Sequence, residues 1–297
     1  MRPGGPGARR RGRDRVRKLL ALSATIVGAL VIGIVPASAI TDGEPDMNGH
    51  PYVGIMVAKD ATGNPLWRCS GTLMSSTVFL TAGHCTESPA ASIAIWFDSG
   101  YPNQIPIAPG YPAAGPNRCA GIVGYPCTGD AAGTPHTHPQ YNPNAFFLFD
   151  LGVVQLSAPL VMSQYGDLPA LDELDSLATQ RGLQDVTFTA VGYGLQKSFP
   201  LQASWKNQAL RTRMVAHPKL DQINGGIVGD FAMLLSNNAS TGGTCFGDSG
   251  GPNFIGTSNV VAGVTSFGLN RTCAGTGGVY RVDKADDLAW LATFGLS

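Results

Sequence analysis

The sequence predicts an all-β protein, a barrel or a sandwich, behind a removable leader. Three observations carry this expectation. From Ile40 onward, short apolar or alternating runs recur between clusters of Gly, Pro, Asn and Ser. Gly and Pro are abundant, at 39 and 21 residues, whereas charged residues make up only 13%. The length of 297 residues leaves ample chain for the core of one large domain or two small ones.

The chain opens with an arginine-rich stretch, Met1 to Lys18, and continues with an uncharged apolar run, Leu19 to Val35. Pro36-Ala37-Ser38-Ala39 then supplies the small residues of a signal-peptidase site. The apolar run is marginal for spanning a bilayer, and its small-residue exit favours cleavage. Residues 1–39 are therefore expected to be a secretory signal peptide, and residues 40–297 a secreted, extracellular domain with no membrane attachment. The formal net charge of zero hides an asymmetry. Residues 1–39 hold eight basic residues and one acid, leaving twelve basic against nineteen acidic residues in the remainder. That acidic balance argues against a nucleic-acid partner, since phosphate binding depends on clustered Lys and Arg.

Cysteines stand at 69, 85, 119, 127, 245 and 273, all in the part expected to be exported. Six allow fifteen pairings, and an even count in an oxidising compartment favours three disulfides over metal ligation. No C-x-x-C spacing and no calcium loop is legible, so neither metal nor cofactor is expected. The strand candidates are Tyr52–Ala58, Gly71–Leu80, Ser92–Phe97, Leu151–Leu156, Val186–Val191, Val260–Ser266 and Gly278–Val282. Tyr101–Pro135 interrupts this rhythm with a Pro/Gly-rich span, read as a long surface loop stapled by its own disulfide. Asp283 to Phe294 carries an acceptor at its start and Leu288, Leu291 and Phe294 at helical spacing, which predicts a C-terminal amphipathic helix.

One stretch suggests a chemistry. In Gly247-Asp248-Ser249-Gly250-Gly251-Pro252 a serine lies among glycines, which permit a tight turn that exposes the hydroxyl and aligns successive N–H groups. Acyl transfer needs that combination of nucleophile and oxyanion donors. Serine is a poor nucleophile without a nearby base. Of five histidines, His84 has the best claim, at the end of an apolar strand and next to Cys85. The base needs an acceptor to hold its tautomer. Asp150 lies between Phe146-Phe147-Leu148-Phe149 and Leu151-Gly152-Val153-Val154, an apolar setting in which a carboxylate requires a strong partner.

Together these segments resemble the chymotrypsin-fold, trypsin-like serine proteases. The matching motifs are Cys69-Ser70-Gly71-Thr72-Leu73 with Thr81-Ala82-Gly83-His84-Cys85, then Asp150-Leu151-Gly152-Val153-Val154, then Gly247 to Pro252. Their order, His then Asp then Ser, is that of the chymotrypsin class. His138-Pro139-Gln140-Tyr141, Gly192-Tyr193-Gly194 and Val279-Tyr280 agree in sequence, so the resemblance spans Ile40 to Phe294. It implies two packed six-stranded antiparallel β-barrels, about 40–160 and 161–282, and a C-terminal helix over about 283–294. It further implies His84, Asp150 and Ser249 as catalytic residues and the N–H groups of Gly247 and Ser249 as an oxyanion hole. Gly243, Thr244, Phe246, Ser266, Phe267, Gly268 and Gly278 would bind substrate, with Ser266-Phe267-Gly268 pairing as a strand with its backbone. Cys69 with Cys85 and Cys245 with Cys273 match family disulfides, which leaves Cys119 with Cys127.

The family selects Arg or Lys with an Asp at the base of the primary pocket, where this chain has Gly243. An uncharged pocket without strong preference for basic side chains is expected. The resemblance also implies that a new N-terminal amine on Ile40 pairs with Asp248, freed here by signal peptidase itself. The expected partners are protein or peptide substrates acted on by a monomer. Two other readings share these residues: a binding protein that has lost catalysis, and an esterase on the same fold.

Overall fold

The computed structural model describes residues 40–97, 129–178, 185–196 and 212–297, together with Met1. Residues 2–39 of the expected leader, and Cys119 with Cys127, lie outside the described residues. Fourteen strands are present among those described, with a helical turn α1 at Gly83–Thr86 and a helix α2 at Ala285–Ala292.

Strands β2 (Val53–Lys59), β3 (Pro65–Leu73), β4 (Val78–Thr81), β5 (Ser92–Trp96), β6 (Ala131–Thr137) and β7 (Gly152–Leu156) close into a barrel in the order β2-β3-β4-β7-β6-β5. All its pairings are antiparallel. The single apolar run expected over Gly71–Leu80 is in fact two strands. Met74 N–H donates to Val78 O, folding the chain back through serines instead of a glycine. The loop expected to reach Pro135 ends earlier, because β6 begins at Ala131. Pro135 is tolerated there because β6 pairs with β5 only up to Gly133, so the missing N–H of Pro135 costs no ladder bond on that side. The barrel strands contribute Val53, Ile55, Val57, Phe79, Leu80, Ile93, Ile95 and Val153 to one buried apolar core.

The second half is a sheet of eight strands: β1 (Glu44–Pro45), β8 (Phe188–Gly192), β9 (Met214–Ala216), β10 (Leu220–Ile223), β11 (Ala232–Asn237), β12 (Pro252–Ile255), β13 (Val261–Gly268) and β14 (Gly275–Arg281). Its order is β1-β9-β8-β12-β13-β14-β11-β10, open where a second closed barrel was expected. The reason lies at Pro218. Strands β9 and β10 are separated by His217, Pro218 and Lys219, and the proline cannot donate to a ladder. Only the isolated bridge Thr187↔Lys219 links the start of β8 to the start of β10, so the sheet curls round without a continuous ladder closing it.

Buried charge ties the ends of the chain to this frame. Near the start, the fully buried Arg213 donates to Asp46 Oδ2 at 2.7 Å and to Asn48 Oδ1 at 2.8 Å, holding the segment before β2. Near the end, Asp283 was expected to cap the C-terminal helix. Instead it accepts from Arg281 Nε at 2.9 Å and Nη2 at 2.7 Å, and α2 starts at Ala285 behind an N-cap lysine that makes no side-chain cap. Arg281→Ala is expected to destabilise the fold by about 3–5 kcal/mol, since it leaves a buried carboxylate without its cation. Urea unfolding of the variant against the parent measures this directly.

Candidate active site

The barrel and the sheet meet around the turn that carries Ser249. Gly247 and Gly250 have φ of 98° and 75°, the left-handed region that glycine enters freely. A side chain at Gly250 would also strike Thr81 Oγ1 at 2.0 Å, so the turn packs directly on β4. Ser70 on β3 clamps it from the barrel side: its N–H donates to Ser249 O at 2.8 Å and its hydroxyl to Gly247 O at 2.9 Å. Asp248 N–H is taken up by Cys245 O. The N–H groups on either side of it, at Gly247 and Ser249, donate to nothing among the described residues.

His84 sits in α1, just past β4, with Cys85 bonded to Cys69. Asp150 is fully buried and accepts from three donors, two on His84 and one on Ser266. His84 Nδ1 lies 2.9 Å from Oδ2 and 3.1 Å from Oδ1, and His84 N–H donates to Oδ1 at 2.9 Å. Ser266 Oγ on β13 donates to Oδ2 at 2.5 Å. Nδ1 therefore carries the proton shared with the carboxylate, leaving Nε2 as the basic nitrogen. Burial works to lower the imidazole pKa, but the charge of Asp150 and its hydrogen bond, with Glu87, outweigh burial and raise it above the ordinary histidine value.

His84 and Ser249 line one cavity of about 500 Å³. Thr244, Phe246, Ser266, Phe267 and Gly268 line it too. Gly243 and Gly278 do not. A Cβ on Gly243 would lie 2.4 Å from Asn237 Cγ, and one on Gly278 would lie 2.3 Å from the Phe267 ring, so both glycines sit behind the wall. A carboxylate introduced at 243 would first have to displace Asn237. In their place Thr276 and the Cys245–Cys273 disulfide form the wall. The group Cys69, His84 and Cys85 has the spacing of metal ligands, but both its sulfurs are spent in a disulfide.

Asn237, which the motifs did not single out, and Asp248, which they did, organise this region. Asn237 at the end of β11 accepts from Thr41 Oγ1 at 2.7 Å and donates to Thr244 O at 2.7 Å. Thr41 and Gly243 also form a bridge, so the chain just after Ile40 is fastened beneath the cavity. Ile40 itself is buried among Ala190, Met214 and Ala216. Asp248 is fully buried and accepts from Gly194 N–H at 2.7 Å and Cys245 N–H at 2.8 Å. Burial pushes its carboxyl up to about 7 despite those bonds. The glycines of Gly192-Tyr193-Gly194 are needed because a Cβ at either would strike this carboxylate.

This constellation defines a class, the chymotrypsin-fold serine proteases. The Trypsin family model matches residues 128–288, more than half of the chain. Trypsin alpha of Drosophila melanogaster is 26% identical over 226 residues, which cover 76% of this chain and 77% of that protein. Phenoloxidase-activating factor 3 of Holotrichia diomphalia is 24% identical over 262 residues, covering 84% and 70%. Among solved structures, HL collagenase superposes with a TM-score of 0.60 at 19% identity, over 87% of this chain and 100% of its own. Human heparin binding protein does so with 0.56 at 18%, over 86% and 96%. The chain belongs to the trypsin family of serine proteases.

If His84 serves as the base it must be neutral to accept a proton, so activity should fall as pH drops through its raised pKa, with an acid limb above the ordinary histidine value. Ser266→Ala should lower kcat/KM by about tenfold to a hundredfold, the worth of one hydrogen bond to a charged group. A pH–rate profile of both proteins tests the pair of statements.

Proposed function

We propose that the mature protein is a secreted, monomeric serine endopeptidase. The observation that carries this is the shared cavity: Ser249 and His84 face it, and Asp150 holds His84 Nδ1. Ser249 Oγ attacks the scissile carbonyl while His84 Nε2 takes its proton, and Asp150 stabilises the imidazolium. The oxyanion is received by the unoccupied N–H groups of Gly247 and Ser249. His84 then returns the proton to the leaving amine, and water, activated by the same nitrogen, hydrolyses the acyl-enzyme. The substrate backbone adds as a strand to Ser266-Phe267-Gly268. With Thr244, Thr276 and a disulfide around it, the primary pocket offers no charge to a Lys or Arg and suits apolar or aromatic side chains.

Residues 1–39 act as the export signal, and cleavage before Ile40 frees the amine that pairs with Asp248. Fluorophosphonate labelling of Ser249, followed by a peptide-library cleavage profile, tests the reading. No labelling would favour a binding protein. Labelling with ester but no peptide turnover would favour an esterase. A profile dominated by Arg and Lys at the cleaved residue would overturn the pocket assignment.

A further inference from the structure

Glu87 is the one carboxylate among the described residues lining the cavity. It is the residue that ends α1, three positions after His84, and its carboxylate hydrogen-bonds the Tyr141 side chain. The proposed reaction has no step for it, since Asp150 already serves His84. None of the ion pairs among the described residues involves it either. A partly exposed acid thus stands beside the reacting groups, within the field of His84 but in no ion pair among the described residues.

The cavity walls have separate origins. Thr244, Cys245, Cys273 and Thr276 come from the second sheet and its loops, while Glu87, Tyr141, Pro143 and Phe146 come from the barrel half. A peptide in extended conformation sends successive side chains to opposite sides. If the cleaved residue enters the pocket of the second half, the residue before it faces the barrel wall. We propose that Glu87 selects substrates carrying Lys or Arg at that preceding position, with Tyr141 and Phe146 packing on the aliphatic stem. This rests on the endopeptidase reading and gives the enzyme a charge preference outside its uncharged primary pocket. The stem and head of such a side chain divide naturally between an aromatic surface and a carboxylate.

The test uses the mature enzyme and fluorogenic peptides with Phe at the cleaved position, identical except for Lys, norleucine or Glu at the preceding one. The expected kcat/KM is about fivefold to tenfold higher for Lys than for norleucine, and lower still for Glu, as for a partly screened ion pair. Glu87→Gln should bring the Lys-to-norleucine ratio close to one, and Glu87→Lys should invert the Lys-to-Glu order. Raising salt to about 1 M should shrink the parent's ratio, a measurement that does not depend on any variant folding. A parent ratio near one, or a ratio that survives Glu87→Gln, would overturn the assignment. Fluorophosphonate labelling of Ser249 in each sample separates this failure from that of the underlying reading: a labelled enzyme with no charge preference sinks only the role of Glu87.

Discussion

Ser249→Ala is expected to lower kcat/KM by about 10⁴- to 10⁶-fold and to abolish fluorophosphonate labelling, with little change in stability. The activity loss follows from the proposed mechanism, in which the Ser249 hydroxyl forms the acyl bond. The fold should survive because no hydrogen bond among the described residues depends on the Ser249 hydroxyl. Its structural contacts run through the main chain, with Ser249 O accepting from Ser70 N–H. His84→Ala should fall to a similar level, and the double variant scarcely lower, since nucleophile and base act as a unit. Turnover near the parent's in either single variant, measured by active-site-titrated kinetics, would remove the triad assignment.

The second large effect concerns the proposed mature start at Ile40. Under the proposed activation, adding one residue before Ile40, or replacing Asp248 by Asn, is expected to cost about 3–5 kcal/mol of the ordered site and so about a hundredfold to several thousandfold in activity, because either change would deny the Ile40 amine and the Asp248 carboxylate their pairing. In the uncut chain Ile40 has φ of 56°, a costly setting for a β-branched residue, which cleavage behind it would relax. Asp248 adds a pH signature. Its folded pKa of about 7 lies above the 3.8 of a free aspartate. Stability of the uncut chain from this group is therefore full below about pH 3.8 and is lost as pH rises towards 7, where the unfolded chain has released a proton the folded one retains. Once an ammonium pairs with the carboxylate, that loss should disappear. Denaturant midpoints against pH for the two forms, with mass spectrometry of the secreted terminus, check both statements. A mature start downstream of Ile40, or full activity in the extended form, would dispose of this activation scheme.

How much of this was legible in the sequence depends on how local each signal is. Runs such as Tyr52–Ala58 and Leu151–Leu156 read as strands because most of their side chains are buried. Strands β9 to β11 were silent: Pro218 and Gly225-Gly226 look like loop, and the pairing partners that make them strands lie far along the chain. The site shows the same division. His84, Asp150 and Ser249 sit in recognisable motifs. The hydroxyl of Ser266 on Asp150 joins residues 116 apart, and Ser70 on Gly247 joins residues 177 apart. Asn237 ties Thr41 to the cavity base across 196 positions. No spacing rule reaches that far, and a serine or asparagine in a strand carries no mark of its partner. Asp283 failed in the opposite way: it looks like a helix cap, but a buried guanidinium two residues away binds it more strongly than an exposed N–H would.

The Cys245–Cys273 bond does more than brace a loop, since both residues line the cavity that would take the substrate side chain. Its wall is thus set by redox chemistry. In a reducing cytosol the same chain would keep two thiols there, and the segments carrying Phe246 and Thr276 would be untied across the pocket. Under the proposed secretion, a copy that failed to leave the cell would lack this bond in its pocket wall.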